Sequence, residues 1–176
     1  NAWTWEHQAL VRSRFIVGSD DLRSRFNDIR KHILSLPRDL VELKQKVFEM
    51  REKMRSHLQA KLINEIDIKQ TNGGIVDVEF MVQFWILAHA CKQPEICEWP
   101  DNLRLLKALT KAGIVDNTTE EILRNAYLTL RHSTHRTQLA NKKYARGGDN
   151  ESTKLTKAIR DVNSCYEKVF ENHIIE

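Results

Sequence analysis

Apolar residues recur along 39–61 in steps of three and four: Leu40, Leu43, Val47, Met50, Met54 and Leu58. Such spacing lays one stripe along a helix and leaves the charges on its other faces. Core packing is the reading for the two methionines within it. The same reasoning predicts a helix over 2–13, then one from a cap at Ser19 or Asp20 to about Leu36, where Pro37 closes it. A helix over 101–112 is expected to be capped by Asp101 and ended by Gly113. Another is expected to begin at Thr118 with a Thr118-Thr119-Glu120-Glu121 capping box and run to about Leu139, and the last to occupy 152–172. Ile66-Asp67-Ile68-Lys69 alternates and predicts a short extended segment.

The most informative pattern is "GGIVDVEF", Gly73 to Phe80, followed by "MVQFWILAHA". On a strand, Asp77 and Glu79 would share a face and could grip a divalent metal together. On a helix they lie roughly 200° apart and cannot. The run is far longer than an ordinary strand, and its apolar residues cover nearly the whole helical circumference. It therefore reads as a buried helix, with Phe84 and Trp85 in the core. Asp77 falls in the first turn as a structural cap, for which removal would cost about 0.5–2 kcal/mol. The expected fold is all-α, a bundle of about six or seven helices around this buried central helix at 74–91.

Composition narrows the class. Of 176 residues 41% are hydrophobic and 30% charged, with only six Gly and three Pro, which favours a soluble helical domain over a disordered chain. The net charge of +4 suits an anionic partner without demanding one. Cys91, Cys97 and Cys165 lack metal-ligand spacing and read as reduced thiols, so no metal site is expected and the location is expected to be cytoplasmic. The most apolar stretch is broken by Asp77, Glu79, Gln83 and His89 and falls short of the ~20 residues that span a bilayer, so no membrane is expected.

Four stretches, "AWTWEHQALVRSR" (2–14), "MREKMRSHL" (50–58), "DIKQTNGGIVDVEFMVQ" (67–83) and "DNLRLLKAL" (101–109), together resemble one family. It is the bacterial bifunctional glutamine synthetase adenylyltransferase/adenylyl-removing enzyme family, and the likeness is to its C-terminal end. The resemblance implies a parent that transfers AMP from Mg·ATP to a tyrosine of glutamine synthetase and removes it again. Its partners would be glutamine synthetase, the PII signal protein and the enzyme's own nucleotidyltransferase domains. Residues 1–18 would be the tail of the upstream nucleotidyltransferase domain and 19–176 the C-terminal helical domain. The chain begins in mid-pattern, as expected of a piece of a longer polypeptide. The family's Gly-Ser turn followed by a D-x-D pair does not occur here, so Mg²⁺ and ATP would bind mainly outside this segment, which alone should be inactive.

Within the segment, Gly73, Gly74, Glu79, Gln83, Glu6 and Arg12 are the candidates for nucleotide or interdomain contact. Arg131, Arg136, Lys142 and Lys143 mark a basic contact face in the acid-free stretch 131–148. A basic helical nucleic-acid-binding module is the alternative, but Tyr144 is the only stacking ring there and no nucleic-acid motif accompanies it.

Overall fold

The computed structural model describes residues 3–59, 67–139 and 149–171. Within them lie seven α-helices: α1 (Thr4–Val11), α2 (Asp20–Leu34), α3 (Leu40–Gln59), α4 (Ile75–His89), α5 (Asn102–Lys111), α6 (Asn117–Leu139) and α7 (Asp149–Phe170). A single 3-10 turn, Pro94–Cys97, precedes α5, and no strand occurs among the described residues. The expected all-α fold is the one observed.

Local chemistry sets most boundaries. Ser19 accepts from the Leu22 N–H at the start of α2, and Asp101 accepts from the Arg104 N–H at the start of α5. Gly113 ends α5 with φ +73°, a left-handed conformation that glycine adopts without strain. Helix α6 starts at Asn117, which moves Thr118 from the expected cap into the first turn. The expected extended segment at 66–69 is a turn over its described residues. Asp67 accepts from the Lys69 and Gln70 N–H groups, and the Gln70 and Thr71 N–H groups reach the Asp67 carbonyl. An aspartate that captures N–H groups two and three residues on outcompetes strand pairing.

The chain divides into two compact units, 1–47 with 82–116 and 48–81 with 117–176. In the first, Val11, Leu34, Leu43, Val47, Ile86 and Leu105 are among the residues that make the core. In the second, α6 and α7 pack along one another. Leu123, Ala126, Tyr127 and Leu130 form the buried row of α6, and Ala158, Val162, Tyr166 and Phe170 that of α7. Both rows follow helical steps of three and four. Each fully buried leucine contributes about 2 kcal/mol by area.

Helix α4 is as apolar as its sequence suggests. Ile75, Val76, Val78, Phe80, Met81, Val82, Ile86 and Leu87 are all buried. Phe84 and Trp85, expected in the core, are only half-buried. A helix apolar all round offers too little asymmetry for periodicity to say which side is deepest.

Candidate functional site

Helix α3 holds the key to the first cluster. Its buried row begins with Leu43 and Val47 and continues, in the same steps of four, with Arg51 and Arg55. Met50 and Met54, expected to continue the stripe, are half-buried beside it. Two arginines on a buried row need a countercharge. Asp77, in the first turn of α4, supplies it.

Arg51 and Asp77 are both wholly enclosed, at 0% exposure. Arg51 Nε donates to Asp77 Oδ1 at 2.5 Å, and its Nη2 donates to the Gln70 carbonyl at 2.7 Å. Arg55 Nη2 donates to Asp77 Oδ2 at 2.8 Å and its Nη1 to Glu52 Oε1 at 2.5 Å. The Gly73 N–H donates to Asp77 Oδ2 at 2.7 Å, so the carboxylate caps the turn as well as balancing the arginines. Arg55 also lies 4.6 Å from the centre of the Tyr166 ring on α7, within cation–π range. Burial works to lower the Arg55 pKa, but Asp77, Tyr166 and Glu52 together hold it above the ordinary arginine value. Burial pushes the Tyr166 hydroxyl well above the ordinary tyrosine range, against the pull of Arg55.

The two glycines before α4 serve close backbone approach. Gly73 has φ +77°, and a Cβ there would sit 2.0 Å from the Ile159 carbonyl oxygen of α7. A Cβ on Gly74 would lie 2.6 to 2.9 Å from the carbonyl oxygens of Ile68, Thr71 and Lys69. The space beside both is filled by this chain's own backbone.

The remaining expected site residues are dispersed. Glu79 is half-buried on α4, and Gln83, one turn later, is buried with its Oε1 accepting from Gln8 Nε2 of α1 at 3.2 Å. Glu6 is exposed and accepts from the Trp3 N–H at 2.6 Å, fixing the start of α1. Arg12 caps the other end of α1 and is half-buried. Arg131 is exposed on α6, 5.7 Å from the Tyr127 ring centre, and Arg136 is exposed one turn beyond. Lys142 and Lys143 lie outside the described residues. Asp77 with Gly73 and Gly74 is thus the one expected group that the structure draws into a single cluster. Among the described residues, no set of three or more His, Cys, Asp or Glu side chains is placed to hold a metal ion. Likewise, no described helix is long and apolar enough to cross a membrane.

Sequence reasoning missed the arginines. Arg30 of α2 is buried, and donates to the carbonyls of Leu10, Val11, Cys97 and Trp99. Arg38 likewise donates to the carbonyls of Ile33, Leu34, Leu36 and Leu87, and reaches the His7 ring. One signal for Arg51 and Arg55 was present: they extend the four-residue row of Leu43 and Val47, and an acid in the first turn of an apolar helix calls for a cation. No comparable signal marks Arg30 or Arg38, whose partners are all backbone or a neutral ring.

Comparison with known proteins gives these features a setting. Residues 41–146 match the family described as GlnD PII-uridylyltransferase. Over 141 residues the chain is 46% identical to the bifunctional glutamine synthetase adenylyltransferase/adenylyl-removing enzyme of Shewanella woodyi. That match takes in 80% of this chain and 15% of the relative's length.

Proposed function

The chain belongs to the family of bifunctional glutamine synthetase adenylyltransferase/adenylyl-removing enzymes, and from that membership we propose that it is a non-catalytic helical segment of such an enzyme. The parent activity is transfer of AMP from Mg·ATP to glutamine synthetase and its removal, in the bacterial cytoplasm and under the control of the PII signal protein. In this reading residues 1–18 complete the upstream nucleotidyltransferase domain, and the rest supports that domain and its contacts with substrate or regulator.

The observation that carries the reading is the state of Asp77. Both of its oxygens are engaged by arginines, and one also accepts the Gly73 N–H. A carboxylate held in this way is a structural tie and offers no free face to a metal ion. Glu79, two residues on along α4, points to another side of the helix. In this reading the metal-binding pair of the reaction lies in the parent's nucleotidyltransferase domains.

Apolar surface supports the docking half of the proposal. Trp3 is 72% exposed, and Leu22 and Ile29, on one face of α2, are 53% and 59% exposed. Two large apolar side chains exposed on one helix face suit coverage by a neighbouring domain.

The test uses the full-length parent enzyme. Leu22→Glu with Ile29→Glu should slow adenylylation at least tenfold while the melting temperature of the 176-residue chain stays within a few degrees of wild type. Unchanged adenylylation in that double variant would remove the docking role. Incorporation of AMP into glutamine synthetase by the 176-residue chain alone, with Mg·ATP, would overturn the non-catalytic assignment.

A further inference from the structure

The first unit contains a groove of about 600 Å³ between the stretch after α1, helix α2 and the segment leading into α5. That volume lies within the range of small-molecule sites. Arg14, Arg23, Arg30, Lys31 and Arg104 line it, against the carboxylates of Glu95 and Glu98. Five cations face two lining carboxylates, and Asp20 and Asp101 pair with two of the five, Arg23 and Arg104.

Three of these cations lack a countercharge among the described residues. Arg30 is buried, and every hydrogen bond it makes goes to a neutral backbone carbonyl. Those four bonds hold the guanidinium rigidly and use four of its five N–H groups, leaving one on Nη1. A buried charge without an opposite charge is costly, and an anion drawn beside it relieves that cost. Arg14 and Lys31 add two exposed cations with no carboxylate within ion-pair distance. Arg23 and Arg104 do have acid neighbours, Asp20 and Asp101, but those pairs are exposed and weak. Both lie over aromatic faces, Arg23 5.7 Å from the Phe15 ring centre and Arg104 4.2 Å from that of Trp99. Stacking fixes their planes at the groove wall.

We infer that this groove is a binding site for a small anion bearing two or more phosphate groups. One phosphate carries about 1.5 to 2 negative charges at neutral pH, so a pair of them suits Arg14, Arg30 and Lys31, the three lining cations without a carboxylate partner, better than a single carboxylate does. Planar guanidinium groups suit phosphate oxygens through paired N–H donors. The site is separate from the Asp77 cluster, which belongs to the other unit, and uses none of its residues. It is also independent of the catalytic or non-catalytic status of the chain.

Isothermal titration of the 176-residue chain at low salt, with inorganic pyrophosphate and with ATP as probes, tests the assignment. Binding by both, in competition, is expected, and identifies the phosphate chain as the recognised part. Binding by ATP alone would also support a polyphosphate site and add a contribution from the base, provided that adenosine does not bind. Arg14→Gln with Lys31→Gln, checked for retained helicity by circular dichroism, should weaken binding at least tenfold. Glu98→Gln should strengthen it two- to fivefold, a gain that a merely structural role would not produce. No measurable binding at millimolar probe, unchanged affinity in the arginine–lysine double variant, adenosine binding as well as ATP, or displacement of pyrophosphate by an acidic peptide would each overturn it.

Discussion

Each unit buries arginines, but by opposite chemistry. In the unit containing α6 and α7, Arg51 and Arg55 share the carboxylate of Asp77. In the other, Arg30 and Arg38 are satisfied almost wholly by backbone carbonyls. The pKa directions reflect this. Burial lowers Arg30 and Arg38 below the ordinary arginine value, whereas Asp77 and its neighbours outweigh burial at Arg55 and raise it. The first arrangement ties side chain to side chain and depends on three residues together. The second ties side chain to main chain, so one arginine gathers several segments that carry no matching polar side chain.

The largest expected effect comes from breaking the three-residue tie. Asp77→Ala leaves two buried cations without their shared carboxylate and should cost about 3–5 kcal/mol in denaturant unfolding, well above the loss of a simple helix cap. Replacing all three residues, Asp77→Ala with Arg51→Met and Arg55→Met, should recover most of that loss. A triple variant as unstable as the single would show that the charges are not what the cluster satisfies.

Next in size is Gly73→Ala, at roughly 3 kcal/mol, because it combines a positive φ with a Cβ driven into the α7 backbone. Hydrogen exchange should show protection lost first in α7 and retained in α2 and α5. Equal loss in α2 and α5 would mean that the two units do not respond separately.

Arg30→Met should cost less, about 2–3 kcal/mol, since some of the four orphaned carbonyls can find water. Here no partner substitution can restore stability, because the partners are peptide groups. Rescue by any second side-chain change in the contacting residues would blur the distinction between the two arrangements.

The smallest effect is in acid. His7 and His89, both in the unit of the carbonyl-bound arginines, have pKa values lowered by burial, with Arg38 and Lys92 adding to the shift. Above the ordinary value of about 6.5 both histidines are neutral whether folded or unfolded. As pH falls through that value the unfolded chain takes up protons first, so stability declines until the lowered folded values are passed. Melting temperature should drop as pH falls through about 6.5, and His7→Gln with His89→Gln should flatten that drop. An undiminished slope in the double variant would place the acid sensitivity elsewhere.

Much of the fold was legible because its signals are local. Ser19, Asp101, Gly113 and Pro37 mark helix ends through their own backbone preferences, and the periodicity of α3 and the length of the α4 run mark those helices, although Leu40, Met50 and Met54 of the expected stripe lie outside the buried row. The site was less legible because its meaning is distant. Asp77 was readable as a cap from its place after Gly73-Gly74, but its two arginines lie 22 and 26 positions earlier. In sequence Arg51 and Arg55 look like the charged surface of an amphipathic helix. Gly73 shows the same divide: its turn could be read, whereas the approach of α7 at Ile159 could not.

That separation along the chain bears on how the second unit assembles. The Arg51–Asp77 tie closes a loop of 26 positions, while the seating of Gly73 against Ile159 closes one of 86. Loop-closure entropy favours the shorter by about 1 kcal/mol. The ionic tie can therefore form while α7 is still remote, presenting an ordered glycine turn to that helix when it arrives. Synthesis runs in the same direction, so the nascent chain meets the easier closure first and docks α7 on a surface already made.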